Sequence, residues 1–183
     1  MLYARWWKRY SLKRQGKDRG LKILGIDPGS INCGYGLIET QPQTPGLNSS
    51  SYRYLSSGRI VLPAAKPLHE RLRELYVSLA EIISEYKPEE IVIERMFFAK
   101  GIKAALGLGH TRGVVLLSAA LTGLPIFEYS PLEVKKAVVG YGRADKNQVQ
   151  LMVQRLLNIK RSLSPDSADA LAIAVCHANT KGL

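Results

Sequence analysis

Four acidic side chains have the type and placement to bind metal ions together. Asp27 and Glu94 each end an apolar run, and Asp166 and Asp169 open an alanine-rich segment. A carboxylate at the end of a buried strand is costly unless its lost hydration is compensated. If these segments converge, the crowded like charges require a multivalent cation, and oxygen ligands favour Mg²⁺ or Mn²⁺. Two such ions side by side are suited to phosphodiester hydrolysis.

Each acid also has a simpler local explanation. Asp27 begins Asp-Pro-Gly-Ser, which is typical of an Asx turn. Glu94 could be a surface acid where a strand ends, and Asp166 could only cap a helix after Pro165. Asp166 and Asp169 would share one helix face in a first turn, where the helix dipole favours negative charge. All four acids placed after or at the start of apolar runs favour the metal site.

Length and charge favour one folded domain that binds a polyanion. The chain has 183 residues, 46% of them hydrophobic, so one compact domain with a full core is expected. The net charge is +11, of which +6 falls in residues 1–20 and +5 in the remainder. A domain that stays basic despite its acidic cluster points first to nucleic acid, with general solubility as the alternative.

The cysteines and the hydropathy pattern exclude other classes. Cys33 and Cys176 are too few for a disulfide framework and match no zinc motif, so both are expected to be reduced, part-buried thiols. No apolar run approaches about 20 residues, so no membrane span is expected. The basic N-terminus lacks the apolar segment of a secretory signal. A cytoplasmic protein is therefore predicted.

The hydrophobic pattern predicts three strands and then an alternation of strands and helices. Gly58 is interpreted as the site of a β-bulge in the third strand. The predicted strands are Leu21–Asp27, Gly34–Thr40, Tyr52–Leu62, Ile91–Glu94 and Pro125–Tyr129. The predicted helices run from Leu68 to the stop at Lys87-Pro88 and over Ile102–Leu121, Leu132–Val139, Asp145–Asn158 and Asp166–Asn179.

This element order predicts an α/β fold in which a five-stranded mixed sheet is flanked by helices. The first strands form an antiparallel meander, and the later ones are joined by parallel crossovers. Asp27 and Glu94 then lie at the carboxyl ends of neighbouring parallel strands, about 4.8 Å apart. Open α/β sheets bind ligands at this edge.

The local sequence around each acid resembles the RuvC family of Holliday-junction resolvases. Asp27 lies in IDPGS followed by GYG, Glu94 lies in IERMFFAK, and Asp166 and Asp169 lie in DSADALAIA. The similarity extends from about Leu21 to Asn179. It includes GLGHTRGV in the middle helix and VVGYG before the fourth helix.

The resemblance implies a ribonuclease-H-like fold and a homodimeric, structure-selective DNA endonuclease. Such an enzyme resolves a four-way junction by paired symmetric nicks in recombination and DNA repair. It implies that Asp27, Glu94, Asp166 and Asp169 bind two Mg²⁺ ions per subunit, for which Mn²⁺ substitutes. The products are ligatable nicks with 5′-phosphates. The family's usual partners are the branch-migration proteins RuvA and RuvB.

Four further residues are predicted to bind DNA. By resemblance, Phe97 contacts junction bases by stacking, whereas Phe98 is assigned to the core. Lys135 and Lys146 match family lysines near the DNA, although a solvated face explains Lys135 as well. Lys146 in a first helical turn suits a bound phosphate. Arg143 lies in the loop Gly-Tyr-Gly-Arg, which we interpret as mobile and basic.

The middle helix is apolar on more than one side. This pattern suggests a helix that is buried on two sides, against the sheet and against its copy in a second subunit. The apolar residues concerned are Leu106, Val114–Leu117 and Ala119–Leu121. The alternative is a fully internal helix of a monomer. His177 is assigned a structural role.

The chain is divided into a disordered basic arm (1–20), a RuvC-like nuclease domain (21–180) and a short tail (181–183). Three other function classes share some of these features. An actin-like ATPase would require a duplicated domain and would have no need of Asp166 and Asp169. A non-catalytic nucleic-acid-binding module would not need the four acids. An RNA nuclease of the same chemistry remains an alternative.

Overall fold

The computed structural model describes residues 20–41, 51–95 and 101–182. Phe97 and all of the predicted basic arm except Gly20 lie outside the described residues. The same holds for the polar loop 42–50. Within the described residues, every predicted strand and helix is present, and each end lies within two residues of its predicted position.

Five strands form one mixed sheet. Their order across the sheet is β3-β2-β1-β4-β5, with β1 antiparallel to β2 and parallel to β4. Strand β2 is antiparallel to β3, and β4 is parallel to β5, so the predicted division into an antiparallel and a parallel side is confirmed. The strands are β1 Lys22–Asp27, β2 Asn32–Thr40, β3 Tyr52–Val61, β4 Glu90–Glu94 and β5 Ile126–Tyr129.

The helices begin and end at residues that favour helix termini. Gly123 ends α2 in the left-handed conformation, as predicted. Asp145 and Gln148 form the predicted capping box of α4, each side chain accepting a backbone N–H of the other at 2.9 Å. The helices are α1 Leu68–Tyr86, α2 Ile102–Thr122, α3 Pro131–Val139, α4 Lys146–Leu156 and α5 Pro165–Lys181.

The sheet is covered on both faces. Alternate side chains of β1 enter different cores: Ile23 packs with residues of α3, α4 and α5, whereas Leu24 packs with residues of α1 and α2. Both are fully buried. The prediction that β1 is buried on both faces is thereby confirmed, because each face packs into a separate hydrophobic core.

Helix α5 lies directly on the backbone of β1 and β2. A methyl group added to Gly25 would lie 2.1 Å from the carbonyl oxygen of Ala170, and one added to Gly34 would lie 2.1 Å from that of Asp166. The glycines therefore allow a close approach that no side chain would permit. The facing surface of α5 is alanine-rich and buried. This close contact fixes the distance between the N-terminus of α5 and the sheet.

The bulge in β3 is not at Gly58, and that prediction was wrong. The register shifts opposite Leu37 and Ile38, which pair with Ser56 and Tyr54, so Leu55 is the extra residue. Gly58 instead makes room for an aromatic ring, because an added methyl group would lie 2.8 Å from the Tyr35 side chain.

A buried charged network holds the C-terminal end of α5. Glu90 is fully buried and binds both His177 Nε2 and Lys181 Nζ, the latter at 2.8 Å. His177 Nδ1 lies 2.9 Å from the Tyr129 hydroxyl, and Lys181 lies 3.9 Å from the centroid of the Phe127 ring. These contacts give His177 the structural surroundings predicted for it. They also extend α5 through Lys181, one residue past the predicted end of the domain.

The close packing of α5 predicts that Gly25→Ala is strongly destabilising. The added methyl group must displace the backbone at Ala170, and such overpacking costs about 1–3 kcal/mol in unfolding free energy. Urea unfolding followed by circular dichroism measures the loss. Gly109→Ala is the control, because that helical position has open space around it and alanine should stabilise it by about 0.5–1 kcal/mol. Equal stabilities for both variants would contradict the packing argument.

Candidate active site

Asp27 and Glu94 end two adjacent parallel strands on the same face of the sheet. Ile26 of β1 pairs with Ile93 of β4, so the next residue of each strand lies at the same edge. Both side chains point to the face covered by α5, because they alternate with Ile26 and Ile93, which enter the opposite core. The predicted placement of both acids at the carboxyl ends of neighbouring strands is confirmed.

Helix α5 brings Asp166 and Asp169 to this edge. The hydroxyl of Ser164 accepts the N–H of Ser167 at 3.3 Å, so Ser164, rather than Asp166, caps the helix. Asp166 lies in the first turn as predicted, but Asp169 lies just beyond it. The capping explanation for Asp166 is therefore excluded, and its carboxylate is available for another role.

The acids interact strongly with one another. Burial, and then the charges of Asp169 and Glu94, raise the pKa of Asp27 from 3.8 to about 7. Burial, and then the charge of Asp169, raise the pKa of Glu94. Both shifts have the cause expected of carboxylates that share a confined site. The site therefore favours the addition of positive charge.

The donor set fits a hard divalent cation. Four carboxylates provide only oxygen ligands, as Mg²⁺ prefers. Within the described ranges, no three histidine, cysteine, aspartate or glutamate side chains are arranged as ready metal ligands. The four carboxylates surround the site without forming such an arrangement, and one of them is bound to an amine.

Lys146 supplies that amine. Its Nζ lies 3.0 Å from Asp169 Oδ2, and this contact raises the pKa of Lys146. Lys146 is the first residue of α4, as predicted, and its side chain is 77% exposed. Lys135 of α3 lies in the same cleft of about 230 Å³, together with Glu94 and Asp169. The site therefore combines the four acids with two lysines.

The other two predicted DNA-binding residues are Arg143 and Phe97. Arg143 is exposed in the turn between α3 and α4. Phe97 follows the described end of β4 and lies outside the described residues. Both assignments stay predictions.

Sequence reasoning missed two arginines at the site. Arg112 of α2 donates to the backbone oxygen of Glu94 at 3.0 Å and binds the Glu128 carboxylate. Arg59 of β3 lies 3.9 Å from Asp166 Oδ2. Arg112 belongs to the GLGHTRGV motif of α2, but the motif alone does not indicate what it contacts. Nothing in the local sequence marked Arg59, because its position depends on the pairing of β3 with β2.

A second cleft meets the first at Glu94. It has a volume of about 220 Å³ and lies between Asp27 and Arg112. Because Glu94 lines both clefts, the carboxylates occupy the middle of a longer groove. An extended polymer fits such a groove better than a small molecule does.

The two thiols take no part in this chemistry. Cys33 and Cys176 are free thiols, as predicted, but they are fully buried rather than part-buried, because both side chains lie in the hydrophobic cores. Burial raises the pKa of Cys33 to about 12 and that of Cys176 to about 11. Neither is a thiolate nucleophile near neutral pH.

Helix α2 presents an apolar surface to the outside. Only part of it packs inward, through Val115 and Ala119, so the alternative of a fully internal helix is wrong. By length and composition, Ala104–Thr122 could also cross a membrane, contrary to the sequence-based expectation of no such segment. However, Arg112 in its middle is ion-paired with Glu128 of the sheet. The exposed apolar side chains of α2 include Ile102, Leu106, Leu116, Leu117 and Leu121.

Comparison with known proteins identifies the family. The family model described as "Crossover junction endodeoxyribonuclease RuvC" matches residues 23–177. The chain belongs to the RuvC family. The crossover junction endodeoxyribonuclease RuvC of Alkaliphilus oremlandii is 48% identical over 159 residues, which cover 86% of this chain and 93% of that protein. The same enzyme from Moorella thermoacetica is 49% identical over 158 residues, 86% of this chain and 90% of that protein.

Solved RuvC structures have the same fold. Thermus thermophilus RuvC is 32% identical and superposes with a TM-score of 0.78, covering 88% of this chain and 96% of that one. A second structure of T. thermophilus RuvC is in complex with a Holliday junction substrate and has a TM-score of 0.79, at 88% and 94% coverage. The yeast mitochondrial Holliday junction resolvase shares the fold alone, at 16% identity and a TM-score of 0.61. The predicted family, ribonuclease-H-like fold and enzyme class are confirmed.

The raised pKa of Asp27 predicts a pH-dependent stability for this RuvC protein. Between about pH 4 and pH 7 the folded state holds a proton that the unfolded state has lost, so unfolding free energy falls as pH rises through this window. Asp27→Asn should reduce this dependence, leaving the part caused by the raised pKa of Glu94, and be more stable than wild type at pH 8 by roughly 2–4 kcal/mol.

Thermal unfolding in EDTA between pH 4 and pH 8 measures this effect. Glu85→Gln, at an exposed position of α1, is the control and should follow the wild-type curve. If Asp27→Asn keeps the wild-type dependence of stability on pH, Asp27 is not the group whose raised pKa causes that dependence.

Proposed function

We propose that this RuvC protein resolves four-way DNA junctions as a homodimer, with one carboxylate site for each of two symmetry-related strands. Each site would use two Mg²⁺ ions, which Mn²⁺ can replace. The products would be ligatable nicks with 5′-phosphates. The proposal deepens the family assignment, because it names the ligands, the ion count and the assembly.

The observation that carries the proposal is the meeting of Asp27, Glu94, Asp166 and Asp169 at one sheet edge. Three separate segments contribute them, and burial and mutual repulsion raise the pKa of Asp27 to about 7. A fold that only bound DNA would gain nothing from four acids in a groove, because they repel phosphates. A metal-dependent hydrolase requires them.

In this proposal the four acids are the metal ligands. Bound divalent ions supply an activated water and stabilise the leaving 3′-oxygen. Asp27 and Glu94 are rigidly placed by the sheet, and Arg112 anchors the backbone oxygen of Glu94. Asp166 and Asp169 are placed by α5, which packs closely on the sheet because Gly25 and Gly34 have no side chains there. The fold thus presets the ligands from both sides.

Positive side chains next to the acids would hold the phosphate backbone. Lys146 has its ammonium at the site and can exchange Asp169 for a phosphate oxygen. Lys135 lines the same cleft, and Arg143 lies in the adjacent turn between α3 and α4. We assign phosphate contacts to these three residues. Phe97, three residues after Glu94, would stack on an unpaired base at the junction centre.

The exposed face of α2 supports the homodimer. Leu106 and Leu117 are 59% and 53% exposed, and both lie on a helix with further exposed apolar side chains. Several large apolar side chains exposed on one helix suggest an association site. Symmetric dimers are the commonest oligomers, and two coordinated nicks need two sites.

The remaining assignments rest on the charge distribution, the domain bounds and family membership. Residues 1–20 carry a net charge of +6 and would form a basic arm that adds non-specific DNA affinity. The domain proper would span residues 21–180, followed by the tail 181–183. We further propose cooperation with the branch-migration proteins RuvA and RuvB, and a cytoplasmic location.

One assay tests the function as a whole. The purified protein is incubated with a labelled four-way junction, a matched duplex and an RNA hairpin, with and without Mg²⁺. We expect paired nicks in the junction only, and only with Mg²⁺. Cleavage of the hairpin instead would favour the RNA nuclease, and junction binding without any cleavage would favour the non-catalytic module.

The ligand assignment predicts that each carboxylate is needed for nicking. Asp27→Asn, Glu94→Gln, Asp166→Asn and Asp169→Asn should each slow nicking by roughly 10²–10³-fold or more. Junction binding should survive, because phosphate contacts supply most of the affinity. Calorimetric titration with Mg²⁺ should show weakened binding in each variant. Any variant that nicks at the wild-type rate would not have lost a ligand, and Glu85→Gln on exposed α1 is the control.

The dimer proposal predicts that Leu117→Glu produces a folded monomer. The side chain is exposed in one subunit, so the charge disrupts association without entering the core. Light scattering should change from about 40 kDa to the monomer mass of 20.3 kDa, and paired nicking should be lost. Leu151→Glu on α4, 56% exposed, is the matched control and should remain a dimer. A wild-type monomer, with and without junction, would contradict the proposal.

A further inference from the structure

Arg59 lies beside the carboxylates on the side away from the lysines. It pairs with Gly34 in the β2–β3 ladder, and its Nη1 lies 3.9 Å from Asp166 Oδ2. Gly34 has no side chain to separate Arg59 from the first turn of α5. The side chain of Arg59 is 46% exposed, so the ion pair with Asp166 is both long and open to solvent. Such pairs contribute little to stability, which points to a role other than holding the fold.

Arg161 lies in the loop between α4 and α5, and its side chain packs on β3 close to Arg59. Its Nη2 lies 3.4 Å from Ser57 Oγ and 3.5 Å from the Ser57 carbonyl oxygen, and it also binds the Tyr54 hydroxyl. Its guanidinium carbon lies 5.7 Å from the centroid of the Tyr54 ring. These contacts fix the guanidinium over β3. Ser57, which holds the Arg161 guanidinium, and Arg59 are two residues apart, so these two strand positions are about 7 Å apart.

The two arginines and the two lysines flank the acids from opposite sides. Strand β3 lies two strands from β1, about 10 Å to one side of Asp27, whereas α3 and α4 with Lys135 and Lys146 lie over the other side. A DNA strand that crosses the four acids is repelled by them and must be attracted at both ends of the crossing. The lysines supply this attraction in one cleft and Arg112 in the other, but no residue of β3 lines either cleft, so neither supplies it on the β3 side.

We propose that Arg59 and Arg161 bind the phosphates next to the scissile one, on the β3 side of the site. The planar guanidinium of Arg59 can donate hydrogen bonds to two phosphate oxygens while remaining close to Asp166. Arg161 takes the following phosphate. The inference rests on the proposed function, because it assumes that a DNA strand crosses the carboxylates.

Salt-dependent binding of a four-way junction in EDTA tests the inference without cleavage. Each lost phosphate contact should lower the slope of log affinity against log salt by about 0.7–0.9 and weaken binding by about 5–10-fold near 0.1 M salt. Arg59→Gln and Arg161→Gln should each show this loss, and the double variant about twice the change in slope. Arg59→Lys should keep most of the slope, because it keeps the charge.

Arg53→Gln is the matched control. Arg53 lies on the same strand, six residues and about 20 Å from Arg59, and its Nε binds Glu39 at 2.9 Å. It should bind junction as the wild type does. Thermal unfolding of each variant shows whether Arg161→Gln has also disturbed the loop against Tyr54, in which case Arg59→Gln decides.

Two results would overturn the inference. Wild-type slope and affinity in Arg59→Gln would show that Arg59 holds no phosphate. Slower nicking with unchanged binding would show that Arg59 only positions Asp166. Failure of the proposed function gives a different result, because wild-type protein itself would then fail to nick the junction in Mg²⁺.

Discussion

The contact of α5 with the bare backbone of β1 and β2 sets the position of the whole site. Two of the four acids are on α5 and the other two end strands of the sheet, so their separation depends on how closely helix and sheet approach. Gly25 and Gly34 remove the side chains that would hold α5 away, and the buried alanines of α5 complete the fit. At the far end of the helix, the buried contacts of Glu90 with His177 and Lys181 prevent α5 from sliding or tilting. The close packing of α5 on the sheet therefore sets the geometry of the carboxylates.

That geometry is electrostatically unfavourable for the protein alone. A carboxyl group whose pKa is raised to about 7 destabilises the folded state when it is ionised, and the charges of Asp169 and Glu94 add to the effect of burial. Lys146 compensates part of it through Asp169. The rest of the domain, with fully buried side chains on both faces of the sheet, tolerates the cost. Strain concentrated at one edge of an otherwise well-packed sheet is typical of a functional site.

Much of this arrangement could be predicted because it is local in sequence. Apolar runs define β1 and β4, and their last residues are necessarily at one sheet edge once the strands are parallel. The capping box at Asp145 and the stop at Gly123 are likewise set by a few neighbouring residues. The bulge at Leu55 could not be predicted, because it depends on the register between β2 and β3. Gly58 suggested a bulge at its own position. Its actual role is to leave space for the Tyr35 ring of the neighbouring strand, and that contact is not visible in the sequence.

The same distinction explains which cations were found. Lys146 could be identified because it matches a lysine of the family and because the start of α4 is visible in the sequence. Arg59 was missed because it reaches Asp166 across Gly34, on a neighbouring strand. Its contact exists only after β3 has paired and α5 has docked. A groove lined by four acids therefore gains its balancing charges from two sources: residues on the helices that follow the sheet, and residues on an edge strand whose register places them there. Substitutions that shift the register of β3 should then affect DNA binding before they affect the carboxylates, because Asp27 and Glu94 belong to the central strands.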